Sequence, residues 1–239
     1  MKGCHGLMAG LLTLMGAAPG VIACAGSEAA AQSGAPAPFE ESTVRFEQNV
    51  TDGDVEIVFE AKGRGEGLNA LTVTAPNGRA VIDFASRDAS SLGLWQFRFE
   101  SPELKDAAKL KSSYPEGSYA FKGTTVSGAR LQGTATLGHR LPAAASFLRP
   151  TAGAKDVRLK GLVLAWTPVK QAAGYIVYVE QEELSLDVTA RLPASATTFV
   201  VPDGFLAPDT EYVMGIGTLT KEGNASYVEA SFTTAAQKQ

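Results

Sequence analysis

The 239-residue chain is 45% hydrophobic and 19% charged, with 25 Gly and 12 Pro. That is enough apolar material for a packed core and too little charge for a disordered chain. Net charge is −4, with 12 Lys/Arg against 15 Asp/Glu in residues 24–147 and 8 against 10 in residues 148–239. Neither half hides a basic patch, so nucleic acid is excluded as the main partner.

The chain opens with Lys2 and His5, followed by an apolar run from Leu7 to Ile22. Gly10, Gly16, Pro19 and Gly20 break that run, which is short for a membrane span of about 20 residues. A positive start, an apolar middle and a small-residue exit describe a secretory signal peptide over residues 1–23. The exit, Val21-Ile22-Ala23-Cys24, resembles the lipobox of bacterial lipoproteins. The resemblance implies lipidation of the Cys24 thiol and cleavage just before it. It also implies a membrane-anchored protein of the cell envelope, at the outer membrane or surface of a bacterium. The competing readings are an ordinary signal cut near Ala25 or further along the Ala-rich stretch, or an uncleaved anchor. With Cys24 lipidated and Cys4 removed, no cysteine remains for a disulfide or for a Cys-based zinc site, and the fold must hold by its cores alone. Residues 24–38 lack large apolar side chains and read as a flexible tether with a Pro-stiffened end.

From Phe39 to Leu141 the pattern has period two. Thr43–Phe46, Val55–Phe59, Leu71–Val73, Val81–Phe84, Tyr119–Phe121 and Leu131–Leu137 all read as strands. Pro76-Asn77-Gly78 between apolar runs signals a hairpin, and Gly63-Arg64-Gly65-Glu66-Gly67 reads as another. Trp95, Phe97 and Phe99 alternate as the core face of a strand, the sharper alternative being a sugar-stacking platform. Ser101-Pro102-Glu103 offers a cap, a first-turn proline and a first-turn acid, which predicts one short helix over about 102–110. Residues 39–142 are therefore expected to form an antiparallel β-sandwich of about seven strands, of no recognised family.

A linker is expected over residues 143–153. Beyond it Leu162, Leu164 and Trp166 alternate, as do Tyr175, Val177 and Val179, then Tyr212, Met214 and Ile216. Phe199 and Val201 mark one more strand, and Tyr227 to Thr234 the last. Short runs at regular spacing need two facing sheets. Leu164-Ala165-Trp166-Thr167-Pro168, Gly174-Tyr175-Ile176-Val177-Tyr178, the stretch from Leu206 through Pro208 to Tyr212, and Phe232-Thr233-Thr234 resemble the fibronectin type III fold over about residues 148–235, within a domain expected over 148–236. The resemblance implies a buried Trp166, a core Tyr175 and a tyrosine corner in which the Tyr212 hydroxyl meets backbone near Leu206 or Ala207. The fold class is thus all-β: two antiparallel β-sandwich modules in tandem, the C-terminal one fibronectin type III-like, with one short helix in the first.

Chemistry is thinly supported. His139 is the single histidine after Cys24 and sits at a module edge without a partner nucleophile. No Gly-x-Ser-x-Gly elbow occurs. The glycines of residues 63–67 lead into a strand and not a helix, so they cannot cradle phosphate as a P-loop does. Asp52, Asp54 and Glu56 offer hard oxygens to calcium, but no EF-hand spacing follows and a solvated turn is the preferred reading. Asn49-Val50-Thr51 and Asn224-Ala225-Ser226 match glycosylation sequons, which a bacterial address makes accidental. The expected function is a cell-envelope lipoprotein with a non-catalytic binding or scaffolding role, holding a lipid anchor through Cys24 and taking a protein or glycan ligand. No catalytic residue, cofactor or metal is assigned. The alternative is an accessory module, or an unrecognised hydrolase, of a secreted polysaccharide- or peptide-degrading system.

Overall fold

The computed structural model describes residues 35–86, 88 and 92–236. The expected signal peptide, Cys24 and most of the expected tether lie outside the described residues.

The first part of the chain runs β1 (Ala37–Pro38), β2 (Glu41–Asn49), β3 (Asp54–Lys62), β4 (Leu68–Thr74), β5 (Ala80–Ala85), β6 (Gln96–Glu100), α1 (Ala107–Ser113), β7 (Gly117–Thr125) and β8 (Arg130–Leu137). One sheet has the order β1-β8-β7-β4-β5, and β2, β3 and β6 face it. Alternation puts Val44 and Phe46, then Ile57 and Phe59, against Leu71, Val73, Tyr119 and Phe121 in a shared core. Asn77-Gly78 turns β4 into β5 with Gly78 at φ 82°, as the hairpin signal requires.

Four local expectations are corrected. Ala37 and Pro38, the end of the expected tether, pair in parallel with Leu131 and Gln132, because β8 offers an open edge there. The segment 63–67 is an arch and not a hairpin, since β3 and β4 belong to opposite sheets. The helix starts at Ala107, capped by the Asp106 carboxylate, which accepts from the Lys109 amide at 3.0 Å. Ser101 is unavailable as a cap: its hydroxyl accepts from the Ile57 amide, and Leu104 exchanges both backbone bonds with Val55. Strand pairing to β3 thus outcompetes the local helix signal. Finally, Phe97 and Phe99 stack at 5.7 Å on the core side, but Trp95 precedes β6 and is 54% exposed.

The second part runs β9 (Phe147–Arg149), β10 (Ala154–Val157), β11 (Val163–Trp166), β12 (Gly174–Gln181), β13 (Leu186–Pro193), β14 (Thr198–Val200), β15 (Glu211–Leu219) and β16 (Ala225–Thr234). Sheet β14-β11-β9 faces β13-β12-β15-β16, which is a fibronectin type III-like sandwich. Leu164, Trp166, Tyr175, Val177, Tyr212, Met214 and Phe232 fill its core. The expected linker 143–153 carries β9, and Ala145 is buried in this second core. Its weak alternation reflects a three-residue strand held by the neighbouring β11.

The sandwiches are joined by backbone. β16 pairs in parallel with β2, Ala225 opposite Glu47, Ser226 opposite Gln48 and Tyr227 opposite Asn49. The faces of both modules thereby become one eight-stranded sheet.

Candidate functional site

Strand alternation turns the other face of this shared sheet away from the cores, and residues of both sandwiches meet there. On β2 and β3, Arg45 and Glu47 stand opposite Val58 and Glu56; on β6, Arg98 and Glu100 stand opposite Glu60 and Val58. Arg45 is ion-paired with Glu47 and with Glu60, and Arg98 with Glu60, at 3.0 Å, and with Glu100. The Arg45, Glu47 and Glu60 side chains are only 14%, 8% and 19% exposed. Burial disfavours the Arg45 charge, but hydrogen bonds and attraction from Glu60 and Glu47 outweigh it and hold its pKa above the ordinary value. The same two arginines pull the Glu60 carboxyl below its usual range against the effect of burial.

On the second sandwich the outward positions are aromatic. Tyr178, Gly215 and Glu229 form one cross-strand row, and Ile176, Gly217, Tyr227 and Asn49 the next. A side chain at Gly215 or Gly217 would run into the ring of Tyr178 or Tyr227, so both glycines are needed for the rings to lie flat over β15. The Tyr178 hydroxyl donates to Glu229, and the Asn49 amide donates to the other Glu229 oxygen at 3.0 Å. Burial and Glu229 raise the Tyr178 pKa; burial and Glu47 raise that of Tyr227. Both phenols stay neutral at physiological pH, and that of Tyr178 donates to Glu229. The face presents a lattice of paired charge beside two fixed phenols, a surface suited to hydrogen-bonded recognition.

One group on it titrates near neutrality. Burial, with Glu47 and Glu100 close by, pushes the Glu56 carboxyl up to about 7. An acid whose folded pKa lies above its unfolded value, 4.5, binds its proton more tightly when folded. Its contribution to stability is therefore greatest below about pH 4.5 and is lost as pH rises to about 7. Thermal melts should show Glu56→Gln and wild type nearly alike at pH 5, with the variant more stable at pH 8. A difference that does not change with pH would remove Glu56 as the cause.

The residues singled out from sequence lie elsewhere. Trp166, Tyr175, Leu206 and Tyr212 converge in the second core. The Tyr212 hydroxyl accepts from the Ala207 amide at 2.8 Å, its ring stacks on Phe232 at 5.6 Å, and exposed Pro208 turns the chain. At the Asp52–Asp54 turn the Lys105 ammonium contacts the Asp52 carbonyl and lies 3.4 Å from the Asp54 carboxylate. Among the described residues no group of three or more His, Cys, Asp or Glu could hold a metal ion. His139 has one ring nitrogen 2.8 Å from the Tyr114 carbonyl and its ring edge-on to Phe46. Asn224 is 2% exposed with its amide fully engaged, which makes that sequon unsuited to glycosylation. Cys24 lies outside the described residues.

Sequence reasoning passed over Tyr178, Tyr227, Glu229 and the Arg45–Glu60 lattice. Their signal was present: Tyr178 alternates with inward Val177 and Val179, and Gly215 and Gly217 flank inward Ile216.

No family model and no curated protein matches this chain. Solved structures do match. The FN1–FN3 domains of chicken CNTN1 share 13% identity, with 84% of this chain and 69% of that one covered at a TM-score of 0.30. The fibronectin(III)-like modules of Clostridium thermocellum CbhA share 7%, covering 83% and 93% at 0.33. A two-domain fibronectin type III segment from chicken tenascin shares 13%, covering 83% and 99% at 0.31.

Proposed function

We propose that the chain is a cell-envelope lipoprotein, anchored through a lipidated Cys24 once residues 1–23 are removed, whose sandwiches bind or position a protein or glycan ligand without catalysing a reaction. The supporting observation is the backbone junction between the modules. β16 starts alongside Glu47 and continues seven residues beyond Tyr227 in the direction of β2. At roughly 3.3 Å per residue that is about 23 Å. The second sandwich is therefore held beyond the far end of the first, with its phenol-bearing face continuous with the charged lattice. A fixed tandem of this kind positions a surface at a set height, which is what a scaffold or a presented binding module requires.

Two measurements test the reading. Cys24→Ser should leave an unprocessed precursor and abolish incorporation of labelled fatty acid; a variant still cut to the same mature size and released would defeat the lipoprotein assignment. Soluble protein on glycan and peptide arrays should be retained while a general hydrolase panel stays silent. Turnover on that panel without retention would make the chain an enzyme.

A further inference from the structure

The pole of the first sandwich opposite the second carries an unusual surface. Three connections meet there: the arch 63–67, the segment 92–95 before β6, and the turn between β7 and β8. They are bound to one another by backbone. Leu68 and Leu94 exchange both hydrogen bonds, Val126 donates to Gly67 at 3.0 Å, and Gly63 donates to Trp95 at 2.8 Å. Gly67 and Gly93 lie so close that a Cβ on either would overlap the other strand's backbone, which makes this a fixed platform.

On that platform the large apolar side chains point outward. Leu92 is 88% exposed, Trp95 54%, Leu94 51% and Val126 42%. Trp95 is not loose: its indole N–H donates to the Gly63 carbonyl at 2.8 Å, and the Lys62 ammonium sits 4.7 Å from its ring centre. An indole with its polar edge satisfied, its apolar surface open and a lysine beside it is the arrangement found where protein meets the headgroup layer of a bilayer. Isolated exposed apolar residues need no explanation, but four on one rigid tip do.

The position of the tip decides what covers it. β1 runs parallel to β8, with Ala37 opposite Leu131, one residue after β8 begins at Arg130. The chain therefore enters the sandwich at the same pole that carries Trp95 and Val126. The second sandwich, joined at the Asn49 end of β2, extends the opposite way.

We propose that this pole is a lipid-contacting surface: Leu92, Leu94, Trp95 and Val126 insert at the bilayer interface, and the tandem stands with its second sandwich away from the membrane. The proposal rests on the reading that the anchor is at Cys24, since that places lipid on the side where the chain enters. The anchor supplies the attachment, and an apolar contact on the folded part sets how the sandwich meets the bilayer.

The test exploits the two tryptophans and the single cysteine of residues 24–239. The soluble chain starting at Cys24 is coupled through its thiol to a maleimide lipid in phosphatidylcholine vesicles, with and without phosphatidylglycerol. Brominated phosphatidylcholine is the quencher. Trp166 is fully buried in the second sandwich and serves as the internal control. Trp95 emission should shift to the blue and be quenched in both vesicle types, while Trp166 is spared. Leu92→Ser with Val126→Ser should lower the docked-to-undocked ratio about ten-fold, through loss of apolar burial at two exposed positions that leaves the cores intact. Unquenched Trp95 in the coupled chain would overturn the proposal. So would concentration-dependent self-association that shields Trp95 without lipid, which would give the surface to a second copy. Because coupling is chemical, this result does not depend on cellular lipidation of Cys24, and the fatty-acid labelling of Cys24→Ser fails or succeeds separately.

Discussion

Trp166→Ala is expected to destabilise the second sandwich by about 3–5 kcal/mol, the range for emptying a fully buried aromatic site. Trp166 has no solvent exposure and meets Tyr175 edge-on at 5.5 Å. Tyr175 is itself fixed, since its hydroxyl accepts from the Val169 amide at 2.9 Å, so the cavity cannot close by rotation of that ring. Tyr212→Phe should cost less, about 1–3 kcal/mol, because the ring keeps its place on Phe232 and only the Ala207 amide loses its acceptor. Glu222→Ala, on an exposed turn, should stay within about 0.5 kcal/mol. Urea unfolding of the soluble tandem measures all three. A silent Tyr212→Phe together with a mild Trp166→Ala would mean that neither residue organises this sandwich.

What could be read from the sequence follows what is local in the physics. Strands with one buried face announce themselves by alternation, so Val44 and Phe46, Tyr175 and Val177, and Tyr212 and Met214 were legible directly. Turns fixed by glycine chemistry, such as Asn77-Gly78, were legible for the same reason. The failures share a cause. Ser101-Pro102-Glu103 is a sound helix start by local rules, yet Ser101 and Leu104, on either side of Pro102-Glu103, bond to Ile57 and Val55 of β3, across more than forty positions of chain. Residues 37–38 have no apolar pattern and became a strand because β8 had an edge to offer. The outward lattice of Arg45, Glu60 and Arg98 joins three strands that only the sheet brings side by side. Alternating charges say that a face is polar; they do not say which charges will be neighbours.

Asn224→Ala is the substitution expected to reach furthest, because the residue ties the two sandwiches together. Its side-chain oxygen accepts from the Phe46 amide at 2.8 Å, and its nitrogen donates to the Gly138 and Arg140 carbonyls at 2.8 and 3.0 Å. One amide thus clamps β2, the connection after β8, and the start of β16. Beside it, Ser226 accepts from Gln48 and donates to the Pro142 carbonyl, and only three residue pairs make up the β2–β16 ladder. Alanine leaves a strand amide and two carbonyls without their partner in a site that is 2% exposed. A cost of about 2–4 kcal/mol follows from unpaired buried groups of this kind. The more telling effect is on cooperativity. With the clamp intact both sandwiches should unfold in one transition, whereas without it the coupling falls to the three-pair ladder and the bonds beside it, and the cores should begin to unfold separately. In a Trp95→Phe background the emission of Trp166 follows the second sandwich, while far-ultraviolet circular dichroism follows both. The two urea curves should coincide with Asn224 present and separate when it is replaced. Coincident curves and an unchanged midpoint in Asn224→Ala would show that the β2–β16 ladder, with the Gln48–Ser226 and Asn49–Glu229 bonds beside it, couples the sandwiches without Asn224.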